Sequence, residues 1–209
     1  MIHYIKQETE LLFPVPLWKF NLPGCKNTNK NIEKRVYEKS KEVKEPDDGR
    51  DGLSEKRIMN DDPVMEPVTA LISAAIKEIS YESNMTYSIY KTFLWSNLNR
   101  PGVHNEMHAH PDSHLSGVYY VKVPEGDCGN LRFYNPMNHY GYPNSNSNDP
   151  PSQQVKVIDG EEGALLIFRS PIMHDITKNN TQEDGISISF NILFETYYKS
   201  GDSKPYKWF

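Results

Sequence analysis

From Asn84 onward the chain runs in short stretches of alternating apolar and polar residues, separated by clusters of Gly, Pro, Asn and Asp. A period of two is the signature of half-buried strands. It predicts strands near 86–98, 104–110, 115–123, 130–134, 154–158, 163–169, 173–177 and 186–196. Such a series predicts a mainly β fold with flanking helices, a jelly roll or related sandwich. The cleanest alternation is ISISFNILF, where Ile186, Ile188, Phe190, Ile192 and Phe194 share one face and Ser187, Ser189 and Asn191 the other. The small polar face suits a ligand cavity and suits an exposed sheet equally well.

The first 84 residues read differently. LLFPVPLWKFNLP has the prolines and alternation of an edge strand, with Leu12, Phe13, Val15, Leu17 and Phe20 available as a flap over a sheet. Residues 28–44 read as a polar helix touching the core through Ile32, Val36 and Tyr37, and EPDDGRDGLSEKR reads as a loop. Asp62 then Pro63 is an N-cap followed by proline at the first helical position. Val64, Val68, Leu71, Ile72, Ala75, Ile76 and Ile79 follow at helical spacing, a stripe that should pack on the sheet. The expected organisation is one domain over 1–209, with a flap and supporting helices in 1–84 and the β core in 85–209.

Candidate chemistry concentrates in HNEMHAHPDSHLSGVYYVKV, residues 104–123, which holds His104, His108, His110 and His114. In an extended segment His108, His110 and Asp112 point the same way and can meet one ion. Imidazole and carboxylate without nearby thiol suit iron, manganese or zinc. His174, after the apolar strand GALLIFRS, stands at the separation a double-stranded β-helix needs to return a distal ligand over its first strands. Two neighbouring ligands plus one distant His form a facial set with open positions.

Composition narrows the partners. Lys plus Arg number 23 against 28 Asp plus Glu, a net charge of -5, so no broad basic field invites nucleic acid. The two cysteines, Cys25 and Cys128, lie far apart and match no metal-site spacing, which fits a reducing cytoplasmic setting. No apolar run approaches the roughly 20 residues of a membrane span. The polar segment NPMNHYGYPNSNSNDPPS interrupts the strand series, as a lid or a surface insertion would.

LLFPVPLW, WSNLNRPG, HAHPDSHLSGVYYV, GALLIFRS with His174, and ISISFN occur in this order over nearly the whole chain. Together they resemble the 2-oxoglutarate- and Fe(II)-dependent oxygenases of bacteria and of tailed phages of marine bacteria, within the prolyl-hydroxylase-like superfamily. The resemblance implies a double-stranded β-helix of cupin type, ferrous iron, 2-oxoglutarate as co-substrate with ascorbate as an accessory reductant, and hydroxylation of a small molecule or protein with release of succinate and carbon dioxide. For a phage-encoded chain the setting would be the host cytoplasm. The superfamily motif of His, any residue, then Asp or Glu, with a distal His, maps onto His110, Asp112 and His174, whereas this family's own two histidines map onto His108 and His110. His108 and Asp112 therefore compete for one ligand place. Tyr120 falls where prolyl-hydroxylase-like enzymes carry a tyrosine toward the co-substrate.

One position departs from the resemblance. Relatives carry an arginine immediately before the last strand, gripping the far carboxylate of 2-oxoglutarate; this chain has Gly185. Arg132, ahead of Arg169, is the expected substitute, with Ser187 a further donor and Asn191 on the same strand face. The missing arginine also leaves room for a cupin-like metalloprotein that does not use 2-oxoglutarate. A β-sandwich binding or virion-associated module without activity is a third reading. An oligomer is compatible with the aromatic tail Tyr206, Trp208 and Phe209.

Overall fold

The structure is a computed structural model that describes residues 14–42, 55–83, 89–136 and 154–195. Leu12, Phe13, most of the 45–57 loop, the 137–152 stretch and the tail aromatics lie outside the described residues. Ten strands and two helices follow in order: β1 Leu17–Asn21, α1 Lys26–Glu42, β2 Glu55–Ile58, α2 Glu66–Glu82, β3 Ile89–Asn99, β4 Asn105–His108, β5 Leu115–Lys122, β6 Leu131–Tyr134, β7 Val155–Ile158, β8 Ala164–Arg169, β9 His174–Ile176 and β10 Gly185–Glu195. Every strand expected after Asn84 is present. No helix among the described residues is long and apolar enough to cross a membrane.

The strands form two sheets, a major one ordered β1-β8-β5-β10-β3-β2 and a minor one ordered β4-β9-β6-β7. All pairings are antiparallel. β10 lies at the centre of the major sheet because its apolar face is unbroken: Ile186, Ile188, Phe190 and Ile192 are at most 1% exposed. That face meets α1 and α2 in the larger core, together with Leu115, Tyr119, Leu165 and Ile167. Val68, Ile72, Ala75, Ile76 and Ile79 form the buried stripe of α2, and each of its large aliphatics contributes about 2 kcal/mol relative to exposure. A smaller core between the sheets gathers Val118, Tyr120, Leu131, Phe133, Ile158, Leu166 and Phe168.

Polar pins fix the helices. Buried Asn29 of α1 donates through Nδ2 to the Val121 carbonyl at 2.8 Å and accepts from the Tyr119 hydroxyl at 2.6 Å. Asp62 accepts from the Val64 N–H at 3.3 Å as the cap of a 3-10 turn, Pro63–Met65, that leads into α2. Its other oxygen takes Arg35 Nε at 2.6 Å, tying α1 to the start of α2. Burial alone would raise the Asp62 pKa; the hydrogen bonds from Arg35 and Val64 and the charges of Arg35 and Lys39 outweigh it and hold the carboxyl below its usual range.

The two readings of the N-terminal part fare differently. The N-terminal apolar stretch contributes a genuine edge strand, β1, registered Leu17 against Phe168 through Asn21 against Ala164. The supposed loop before Met59 ends in β2, paired to β3 with Ile58 opposite Trp95. EKRI shows no alternation to read, because an outermost strand whose Ile58 is 77% exposed has no buried face to encode.

Candidate metal centre and its cavity

His108, His110 and His174 offer ring nitrogens that all lie within 4.8 Å of one another. Three elements bring them together. His108 ends β4 and stands directly opposite His174, which opens β9. His110 follows two residues later, its backbone N–H on the Ser170 carbonyl at 3.0 Å. His174 is 5% exposed, against Phe133 and Phe168. Burial, with the neighbouring His108, lowers its pKa to about 4 despite the bond to the Ile172 carbonyl and the nearby Asp175, so the ring stays neutral and available as a ligand.

The far side of each ring is also held. His108 Nδ1 lies 2.7 Å from the Glu106 carbonyl and His174 Nδ1 2.9 Å from the Ile172 carbonyl. A carbonyl only accepts, so both Nδ1 atoms carry the proton and both Nε2 lone pairs are left for a metal. An all-imidazole set suits zinc, copper, nickel or iron, and ferrous iron fits it.

A cavity between the sheets is lined by the three histidines together with Trp95, Asn97, Tyr120, Gly185, Ser187 and Ser189. Tyr120 Oη and Trp95 Nε1 are buried with no hydrogen-bond partner. Burial, then Cys128 and Asp159, push the Tyr120 phenol up, so it is a neutral donor. Buried donors without acceptors are rare and costly, about 1–3 kcal/mol each, and they fit a polar ligand such as the carboxylates of 2-oxoglutarate.

A family model described as "Putative 2OG-Fe(II) oxygenase" matches residues 93–191, the stretch carrying all three histidines, Tyr120 and most of β10. This segment is similar to that family. Solved structures agree on the fold. A Pseudomonas putida prolyl-4-hydroxylase superposes with a TM-score of 0.59 at 13% identity, covering 87% of this chain and 92% of that one. HygX from Streptomyces hygroscopicus with iron bound gives 0.56 at 9%, covering 88% and 84%. A Trichoplax adhaerens prolyl hydroxylase in complex with a hypoxia inducible factor peptide gives 0.56 at 17%, covering 85% and 83%. No curated protein matches in sequence.

Against this oxygenase frame two candidates fall away from the site. Asp112 is exposed and is not among the clustered ligands. The extended geometry that would align it with His110 stops at His108: the Ser113 N–H bonds the His110 carbonyl at 3.2 Å, and His110-Pro111-Asp112-Ser113 turns. Arg132 does not line the cavity. Phe133 takes the inward face of β6, and Arg132 on the other face grips Asp175 with Nε–Oδ1 at 2.8 Å and Nη2–Oδ2 at 2.6 Å. Tyr134 Oη adds a third bond to Asp175 at 2.8 Å. Arg169 is exposed. Among the described residues Lys122 is the one cation on the cavity wall, and its ammonium lies 3.4 Å from Glu33 and 3.8 Å from Glu183.

Ser187 lines the cavity, its Oγ within 3.3 Å of Asn97 Nδ2. Asn191 sits higher on the same face, between Ser116 and His110. Sequence reading missed Trp95 and Asn97, whose odd-numbered face of β3 looks inward opposite Ser189 and Ser187. It also missed Gly160, where a Cβ would come within 2.8 Å of the Tyr120 ring.

Proposed function

We propose that this chain is a hydroxylase in which His108, His110 and His174 hold ferrous iron and the cavity they line takes 2-oxoglutarate. The observation that carries this is the convergence of three imidazoles, at least two with Nε2 free, on a cavity shared with a buried tyrosine hydroxyl that has no partner. The bound metal would supply oxygen activation, coupled to conversion of 2-oxoglutarate to succinate and carbon dioxide. The chain's own part is to bind, orient and shield. Tyr120 Oη, Ser187 Oγ and Asn97 are the neutral groups that would meet the co-substrate in the cavity. Phe168 and Phe133 keep water from the buried side of His174.

Gly185 leaves the far carboxylate without its usual guanidinium, and electrostatics offers a partial replacement. Three neutral imidazoles leave ferrous iron its full double charge, whereas a carboxylate ligand would cancel half of it. A dianion in a low-dielectric cavity responds strongly to that difference. On the open side Ile58 and Phe93 share the sheet face of Trp95, and both are more than half exposed. This apolar lip beside His110 supports an organic substrate with an apolar surface.

A second reading, a metalloprotein of this fold that does not use 2-oxoglutarate, is favoured by one observation: no arginine lines the cavity among the described residues. Anaerobic titration with Fe(II) and then 2-oxoglutarate separates the two. A visible charge-transfer absorption on adding 2-oxoglutarate, and succinate release once oxygen is admitted, are the expected results. Iron binding with neither signal would leave the second reading.

A further inference from the structure

Near its end β5 carries one residue more than its partner strand. Tyr120 stands opposite Ser187 and Lys122 opposite Ile186, so Val121 is the extra residue of a bulge. Buried Asn29 of α1 takes the Val121 carbonyl at 2.8 Å, which fixes the irregularity in place. One helical turn further along α1, Glu33 lies 3.4 Å from the Lys122 ammonium. The bulge therefore sets Lys122 beside Gly185, the residue before Ile186, and both line the cavity together with Tyr120.

Three features meet at this end of the cavity. The Tyr120 hydroxyl is a buried donor without an acceptor. Gly185 leaves space: a Cβ there would meet nothing closer than 3.7 Å, and no positive φ demands glycine, so the room is open to a neighbour's side chain. Lys122 brings the charge, and its flexible stem can reorient. Its present partners hold it loosely, since 3.4 Å to Glu33 and 3.8 Å to Glu183 both exceed the ~2.8 Å of a charge-assisted hydrogen bond. The Glu183 side chain is 68% exposed, so giving it back to water costs little.

We infer that Lys122, jointly with the Tyr120 hydroxyl, binds the far carboxylate of a 2-oxo diacid, supplying from β5 the cation that β10 lacks at Gly185. The inference rests on the 2-oxoglutarate reading above and names the residue that completes it. It also gives Glu183 a role: its carboxylate competes with the incoming one for the same ammonium.

The test reads binding without turnover. Calorimetry on the Mn(II)-loaded chain, kept free of oxygen, compares 2-oxoglutarate with 2-oxopentanoate, which has a methyl group in place of the far carboxylate. Wild type should favour 2-oxoglutarate by about tenfold or more. Lys122→Met should lose about tenfold for 2-oxoglutarate and stay within about twofold for 2-oxopentanoate. Unchanged affinity for 2-oxoglutarate, or equal losses for both ligands, overturns the inference. Should Lys122→Met fail to fold, Glu183→Gln decides: with one competitor neutralised, 2-oxoglutarate should bind about threefold more tightly and 2-oxopentanoate as before. No tightening overturns the inference. A wild-type chain that takes Mn(II) but neither keto acid overturns the 2-oxoglutarate reading itself, whereas equal binding of the two overturns the role of Lys122 alone.

Discussion

Arg132 and Asp175 form a bidentate pair across β6 and β9, on the side of the minor sheet turned away from the histidines. The Asp175 carboxylate is 8% exposed. Burial alone would raise its pKa, and the hydrogen bonds from Arg132 and Tyr134 hold it below the usual range. Arg132→Ala should therefore lower stability by about 2 kcal/mol, less than a fully buried pair would lose because the guanidinium is partly solvated. Thermal melts check this. Binding of 2-oxoglutarate to the folded variant should stay within about twofold of wild type, whereas an anchoring arginine would cost a charge-assisted bond, about tenfold or more.

The turn at Pro111 makes a sharp distinction between neighbours in sequence. Asp112→Ala should leave Fe(II) affinity within about twofold, while His108→Ala should lose more than the roughly 10–100-fold typical of an outer-shell partner. Anaerobic iron titration reads both. The reverse ranking would restore the carboxylate motif.

Tyr120→Phe should act with opposite signs on two measurements. In the ligand-free protein it removes a buried hydroxyl without a partner, and stability should rise by up to about 1 kcal/mol. Affinity for 2-oxoglutarate in the iron-loaded protein should fall about tenfold. A variant that loses stability and keeps affinity would show that the hydroxyl serves packing alone.

Asp62 gives the pH dependence. Its folded pKa lies below the unfolded value, so the unfolded chain takes up the proton first. The contribution to stability is full above the ordinary carboxylate range and is lost as pH falls through the folded value. Asp62→Ala should cost about 2 kcal/mol at neutral pH, from the lost cap and charge-assisted bond. The gap between the variant and wild-type melting curves should close in acid. A gap independent of pH would mean that the loss is one of packing.

Much of this was legible along the chain. The β core is written in period-two stretches, and α2 in a stripe that has one face to bury. His174 was readable because it ends an apolar run at the distance the fold requires. What escaped was set by partners in space rather than by neighbours in sequence. Asp112 has the right parity for a strand, yet the proline beside it starts a turn. Arg132 has the right charge, but β6 commits Phe133 to the interior and therefore sends the guanidinium outward. The serine and asparagine face of β10 was ambiguous until the minor sheet was seen to close over it.

Gly160 shows how indirectly such a cavity is shaped. The Tyr120 ring rests where any side chain at 160 would stand, so the reach of the phenol into the binding space is governed by a hydrogen atom on a connection between two other strands. Enlarging that position would tilt the ring and reshape the chamber while the polar side chains that line it kept their identity. For anyone altering what this cavity accepts, the lever is a wall residue that has no side chain of its own.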